Sequence, residues 1–205
     1  MKRALIIAAA ASLVACVNVL PKAPPASPRF LIAAVSVEAA SAAPMDWTLV
    51  VEDPQASRVY DNTKIALAQE PGRIEFYGDG EWADRAPRLF QSALVRSFEN
   101  TGRILGVGDR TAQPIADFAL HTDIRRMEAD LEGGKAKAVF TVYARLVSHR
   151  GKVVAGKLFT AEQSAGVNSG PAVARALDQA VQSVMSEVVT WAFDNGAAAR
   201  VAKPS

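Results

Sequence analysis

The chain has 205 residues, 50% of them apolar and 7% aromatic, with 23 Lys and Arg against 21 Asp and Glu. Lys2 and Arg3 stand in an N-terminal leader, so the remainder carries 21 residues of each sign, which excludes a chain-wide basic field for nucleic acid or anionic lipid. The single cysteine, Cys16, excludes an internal disulfide framework, and the length suits one domain with a substantial core.

Residues 1–15 have the three parts of an export signal: the cations Lys2 and Arg3, an apolar run from Ala4 to Leu13, and a small residue, Ala15, at the cleavage position. The run ends in Leu13-Val14-Ala15-Cys16, a lipobox, whose thiol takes a diacylglyceryl group before the peptidase makes Cys16 the new N-terminus. A membrane-spanning helix needs about twenty apolar residues, and Asn18, Pro21 and Lys22 stop this run well short of that. One acyl chain holds a membrane only marginally, whereas the two or three on a lipoprotein cysteine anchor it stably. The residue after the cysteine is Val17 rather than the aspartate of inner-membrane retention, so the expected destination is the periplasmic face of the outer membrane. Residues 16–28, rich in proline, alanine and serine, read as a tether.

The folded part is expected over residues 29–195. Residues 29–37 and 47–51 read as strands, the second stopped by Asp53-Pro54. Residues 63–68 and 73–77 flank Glu70-Pro71-Gly72 and predict a hairpin. Leu89, Phe90, Ala93, Leu94 and Phe98 then recur on one side of a helix with Asp84 as its cap, Pro87 in its first turn and Gly102 at its left-handed end. After a short strand around Ile104, two alternating stretches surround the turn Glu132-Gly133-Gly134-Lys135, and a second turn at His149-Arg150-Gly151 leads into residues 152–163. These make a three-stranded antiparallel meander. Gly170-Pro171 opens a last helix with Val173, Leu177, Val181, Val184, Val188 and Trp191 on one stripe; Asn195-Gly196 is expected to end it, leaving residues 196–205 as a flexible tail. The sum is an α+β single domain: a mostly antiparallel sheet with two amphipathic helices packed on one face.

No catalytic, cofactor-binding or metal residue is assigned. Neither His121 nor His149 has the context of a triad. Asp123, Glu128, Asp130 and Glu132 lack the spacing and glycine of a calcium loop and read as a solvated strand edge. Gly102, Gly106 and Gly108 miss the dinucleotide spacing. The residue chosen as a site is Cys16, for lipid attachment.

The order of these elements resembles the ABC-type transport auxiliary lipoprotein family, which includes the paraquat-inducible component PqiC. The resemblance covers residues 29–193 and is most telling over residues 60–98, with Ile65, the tyrosine-bearing strand ending in Tyr77, then Glu81-Trp82-Ala83, Pro87 and the helix of Leu89, Phe90, Leu94 and Phe98. Phe30 keeps the aromatic that opens the family's first strand but lacks the hydroxyl of the tyrosine common there. The resemblance implies a non-enzymatic accessory lipoprotein working with a permease, an ATPase and a substrate-binding protein of the mammalian cell entry (MCE) type, in a system that moves lipids between the two membranes. Two other readings stay open: a free-standing lipoprotein holding a small apolar ligand between sheet and helices, and a structural envelope-assembly lipoprotein that forms a homo-oligomer.

Overall fold

The computed structural model describes residues 27–37 and 43–201. Its spine is the meander β7 (Phe118–Glu132), β8 (Lys135–Ser148) and β9 (Val153–Ser164). Gly133 and Gly134 both take positive φ, 57° and 78°, which lets a two-residue turn match the strand twist and fixes the register from Glu132↔Lys135 to Phe118↔Ser148.

The other edge of β7 is tiled by three short strands, all parallel to it. β2 (Thr48–Val51) lies beside Phe118 to Leu120, β3 (Gln55–Ala56) beside Asp123 and Ile124, and β4 (Lys64–Glu70) beside Glu128 to Asp130. β4 returns through Gly72 as the antiparallel β5 (Arg73–Trp82), which takes β1 (Arg29–Phe30) as a parallel neighbour; β6 (Gly106–Gly108) runs parallel to β2. The fold is α+β in one domain. The sheet is mixed, with its longest ladders antiparallel.

Two helices, α1 (Ala86–Asn100) and α2 (Gly170–Val201), cover one face. Alternation in β8 aims Ala138, Phe140, Val142, Ala144 and Leu146 at them, against Phe90, Leu94 and Phe98 of α1 and Leu177, Val181, Val184 and Val188 of α2, all buried. The Phe90 and Phe140 rings lie 5.3 Å apart, and Trp47 meets Phe118 edge-on at 5.2 Å. Each large side chain so buried contributes about 1.5–3 kcal/mol relative to its exposed form. No described helix is long and apolar enough to cross a membrane.

Four expectations need correction. The first strand is only Arg29–Phe30. Beyond it the apolar residues Ile32 and Val35 are buried in the core, and side chains of the helices serve the backbone there: Ala33 N–H donates to Asp178 Oδ1 (2.9 Å), Val35 N–H to Ser97 Oγ (3.0 Å). α1 begins after Arg85 without a side-chain cap, because Asp84 accepts from the adjacent Arg85 N–H (2.7 Å) and the Ala86 N–H goes to Asn62 O (3.1 Å). The short strand expected around Ile104 lies at Gly106–Gly108. Finally, α2 passes through Asn195-Gly196 to Val201, so residues 196–201 are helix; residues 202–205 lie outside the described residues. Gly196 serves close approach here, since a Cβ on it would stand 2.7 Å from Trp47 Cζ2.

Candidate functional site

β7 carries a β-bulge that redirects its polar residues. Register passes from Ile124↔Val142 to Arg126↔Thr141, leaving Arg125 as the extra residue. Before the bulge Phe118, Leu120 and Ile124 face the helices; after it Met127 and Ala129 do, and Arg126, Glu128 and Asp130 turn to the helix-free face. Glu128 is therefore buried, 4% exposed, and the expectation of a solvated acidic edge fails for it. A buried carboxylate requires partners, and Arg126 Nε reaches Glu128 at 2.8 Å while its Nη2 reaches Asp130 at 2.5 Å.

The third partner is Tyr60, whose hydroxyl donates to Glu128 at 2.7 Å. Asn62 holds the turn that delivers it, with its Nδ2 donating to Arg58 O (2.8 Å) and Val59 O (2.9 Å) and its Oδ1 accepting from Lys64 N–H (2.6 Å). Burial, reinforced by the Glu128 hydrogen bond and charge, pushes the Tyr60 hydroxyl above its usual range. For Arg126, burial opposes the charged form, but Asp130 and Glu128 outweigh it and hold the guanidinium more firmly protonated. This network covers the stretch of β7 after the bulge on the helix-free face, with Arg126 itself 38% exposed.

The two histidines stay apart from it. His121 sits half-buried in β7 opposite Arg145, in a small polar recess with Asp53, Gln55, Asp123 and Tyr143; burial first, then the charges of Arg145 and Arg110, lower its pKa. His149 is exposed in the turn between β8 and β9. Gly102 ends α1 with φ 62°, and Gly106 and Gly108 lie in β6. Trp82, on which the sequence pattern leaned, is 1% exposed and belongs to the core.

Cys16 and the residues up to 26 lie outside the described residues. The described residues begin at Ser27, whose Oγ donates to Gly78 O (3.4 Å), and Pro28 O accepts from Glu81 N–H (3.0 Å). The start of α2 is next to this point, because the Gly170 N–H donates to Asp79 Oδ1 (2.9 Å). Tyr77, whose hydroxyl donates to Asn168 Oδ1 (2.6 Å), is pushed to about 12 by burial and the Asp79 charge.

At the far end of α2 a cleft of about 600 Å³ opens between the last helical turns and the β8–β9 turn. Its lining includes the apolar Phe118, Val153, Val154, Ala198 and Ala199, with His149, Arg150 and Lys152 along one side. On the opposite side Arg200 meets Asp46 at 2.8 Å and Asp117 at 3.3 Å. The Arg200 hydrogen bond, with its charge, holds the Asp46 carboxyl below its usual range. The sequence reading missed this cleft, because it joins residues from three separated segments and carries no motif. The space between sheet and helices, where an apolar ligand was considered, is filled by side chains such as Phe90, Phe98, Phe140 and Phe193.

A family model described as the ABC-type transport auxiliary lipoprotein component matches residues 30–189. The chain belongs to that family. Membership in the ABC-type transport auxiliary lipoproteins associates it with an ABC transport system and with lipoproteins of the cell envelope. It is 33% identical over 149 residues to an uncharacterized protein of Bradyrhizobium diazoefficiens; the match takes in 70% of this chain and spans 39% of the relative's length. Among solved structures, a protein of Xanthomonas campestris is 27% identical with a TM-score of 0.79, covering 85% of this chain and 99% of that one. A second, of an uncharacterized protein, has a TM-score of 0.64 at 12% identity over 81% of this chain and 98% of that one, and shares the fold.

Proposed function

We propose that the protein is an accessory lipoprotein of an MCE-type ABC transport system, anchored through Cys16 on the periplasmic face of the outer membrane, where it docks or completes the conduit of the MCE-type protein. The observation that carries this reading is the family match over residues 30–189 in a chain whose only cysteine closes a lipobox. The role is positional and needs no active site. A lipid leaving one bilayer must keep its acyl chains out of water, at about 0.8 kcal/mol per exposed methylene, so transfer requires a shielded path. An anchored domain holds the end of such a path against its target by raising effective concentration, with the tether setting the reach.

Affinity isolation of the lipidated protein from native membranes tests the reading. The expected result is co-isolation of an MCE-type protein together with the permease and ATPase; their absence, with outer-membrane lipid sensitivity unchanged on deletion of the gene, refutes it. The anchor has its own test in Cys16→Ala, which should leave mature protein soluble in the periplasm or retain the leader. Mature-size Cys16→Ala still lodged in the outer membrane would refute lipidation.

A further inference from the structure

We propose that the end of the domain farthest from the chain's entry point is a docking surface for a protein partner that stands on the side away from the anchoring membrane and presents apolar side chains flanked by carboxylates. This rests on the anchored, accessory reading above and names the surface through which it acts.

Geometry gives the orientation. Ser27 enters beside Gly78, next to the start of α2 at Gly170. From there α2 runs to Arg200, about 45 Å at 1.5 Å per residue. The eleven steps from Cys16 to Ser27 span at most about 40 Å when fully extended. The tether is thus too short to run back along the whole domain and let its far end meet, end-on, the bilayer that holds the lipid. End-on contact with that bilayer is closed to it, and the end is left free for another partner.

Its surface chemistry then selects the occupant. Val153 (52% exposed) lines the cleft, and three more exposed aliphatic residues adjoin it along the chain: Val201 (86%) after Arg200, Ile115 (86%) before Asp117, and Leu105 (69%) before Gly106, which pairs with Thr48. An apolar grouping of this kind marks an interaction site. Arg150 and Lys152 on the cleft's edge make no ion pair among the described residues, whereas Arg200 across from them is neutralised by Asp46 and Asp117. The unneutralised edge is positive, and a partner's carboxylates complement it. In a second copy meeting the same surface about a two-fold axis, Arg150 and Lys152 would face the opposite edge, whose Asp46 and Asp117 are already engaged by Arg200. A lone small molecule in the cleft would leave Leu105 and Ile115 in water.

Because Cys16 is acylated in the anchored protein, a cysteine introduced elsewhere is the only free thiol. The test uses the full lipidated chain in native membranes, with maleimide-benzophenone attached at Val153→Cys, or at Glu70→Cys, the last residue of β4 before its turn into β5 and at the opposite end of the sheet. After illumination, the MCE-type protein is sought by immunoblot. Crosslinking from Val153→Cys, about tenfold above that from Glu70→Cys, is expected, and Arg150→Glu with Lys152→Glu should lower recovery about tenfold, with wild-type recovery falling as salt is raised. The proposal is overturned if wild-type protein recovers the MCE-type partner while the crosslink comes equally from Glu70→Cys or the charge-reversed protein still recovers it; the accessory role would then stand with another surface. A crosslink from Val153→Cys to a second copy, or to lipid alone, also overturns it. Failure of the wild-type protein to recover any MCE-type partner refutes the accessory reading and this one with it.

Discussion

Gly196→Ala sets two physical effects against each other. In a helix interior alanine is favoured over glycine by about 1 kcal/mol, so propensity alone predicts a more stable protein. The new methyl, however, would stand 2.7 Å from Trp47 Cζ2, 3.1 Å from Cε2 and 3.3 Å from Cη2, inside the roughly 3.5–4.0 Å at which carbon atoms attract. Trp47 has no room to withdraw: it is 1% exposed, edge-on to Phe118 and 5.8 Å from the Phe193 ring. Overpacking a filled core costs about 1–3 kcal/mol, so after the propensity gain the net loss should be at most about 2 kcal/mol. For a domain of this size that lowers the midpoint of thermal unfolding by up to about 6 °C. Urea and thermal unfolding of the non-lipidated Cys16→Ala chain would measure it. In a Trp47→Phe background, where the indole's benzo edge is gone, the same substitution should be neutral or stabilising by up to about 1 kcal/mol. A gain in stability from Gly196→Ala alone, or an equal loss in both backgrounds, would refute the contact argument.

Three further outcomes follow from the β7 environment. Tyr60→Phe should cost about 1.5–2 kcal/mol by leaving Glu128 short of a donor, and a loss below about 0.5 kcal/mol in urea unfolding would show that the hydroxyl contributes little. Arg126→Met should cost about 1–3 kcal/mol, less than the removal of a fully buried partner because Arg126 is 38% exposed, with a double-mutant cycle to Tyr60→Phe showing coupling through Glu128. His121 has a folded-state pKa below its unfolded value of about 6.5, so the unfolded chain takes up the proton first as pH falls. Its contribution is therefore full above about pH 6.5 and declines as pH drops toward the folded pKa, and His121→Gln should flatten the fall in urea midpoint between about pH 7.5 and about pH 5.5.

The elements legible in the sequence were those with local signals. Gly133-Gly134 marked its turn because a tight hairpin demands positive φ, and the stripe of Val173, Leu177, Val181, Val184 and Val188 marked α2 because burial on one side leaves a helical period. The parallel neighbours of β7 left no such mark, since pairing Leu49 with Phe118 or Leu67 with Ala129 involves no turn between them. The burial of Glu128 had a readable cue: apolar residues fall on even positions through Ile124 and on odd positions from Met127, a phase slip that a bulge produces. Gly196 was misread as a helix stop because glycine has two uses, and Trp47, which decides between them, is distant in the chain. The far-end cleft was invisible for the same reason, whereas the Leu13-Val14-Ala15-Cys16 pattern is wholly local.

The tiling of one edge of β7 by β2, β3 and β4 also orders events in time. A chain that emerges N-terminus first presents these three short strands long before β7, against which they align, has appeared. β8, β9 and α2, which supply the rest of the core, come later still. The early half thus has no sheet to join, and the cost of closing those long loops is met only once the C-terminal half is out. Any process that needs the chain unfolded is given that interval, because the first hundred residues lack the strand on which their sheet is built.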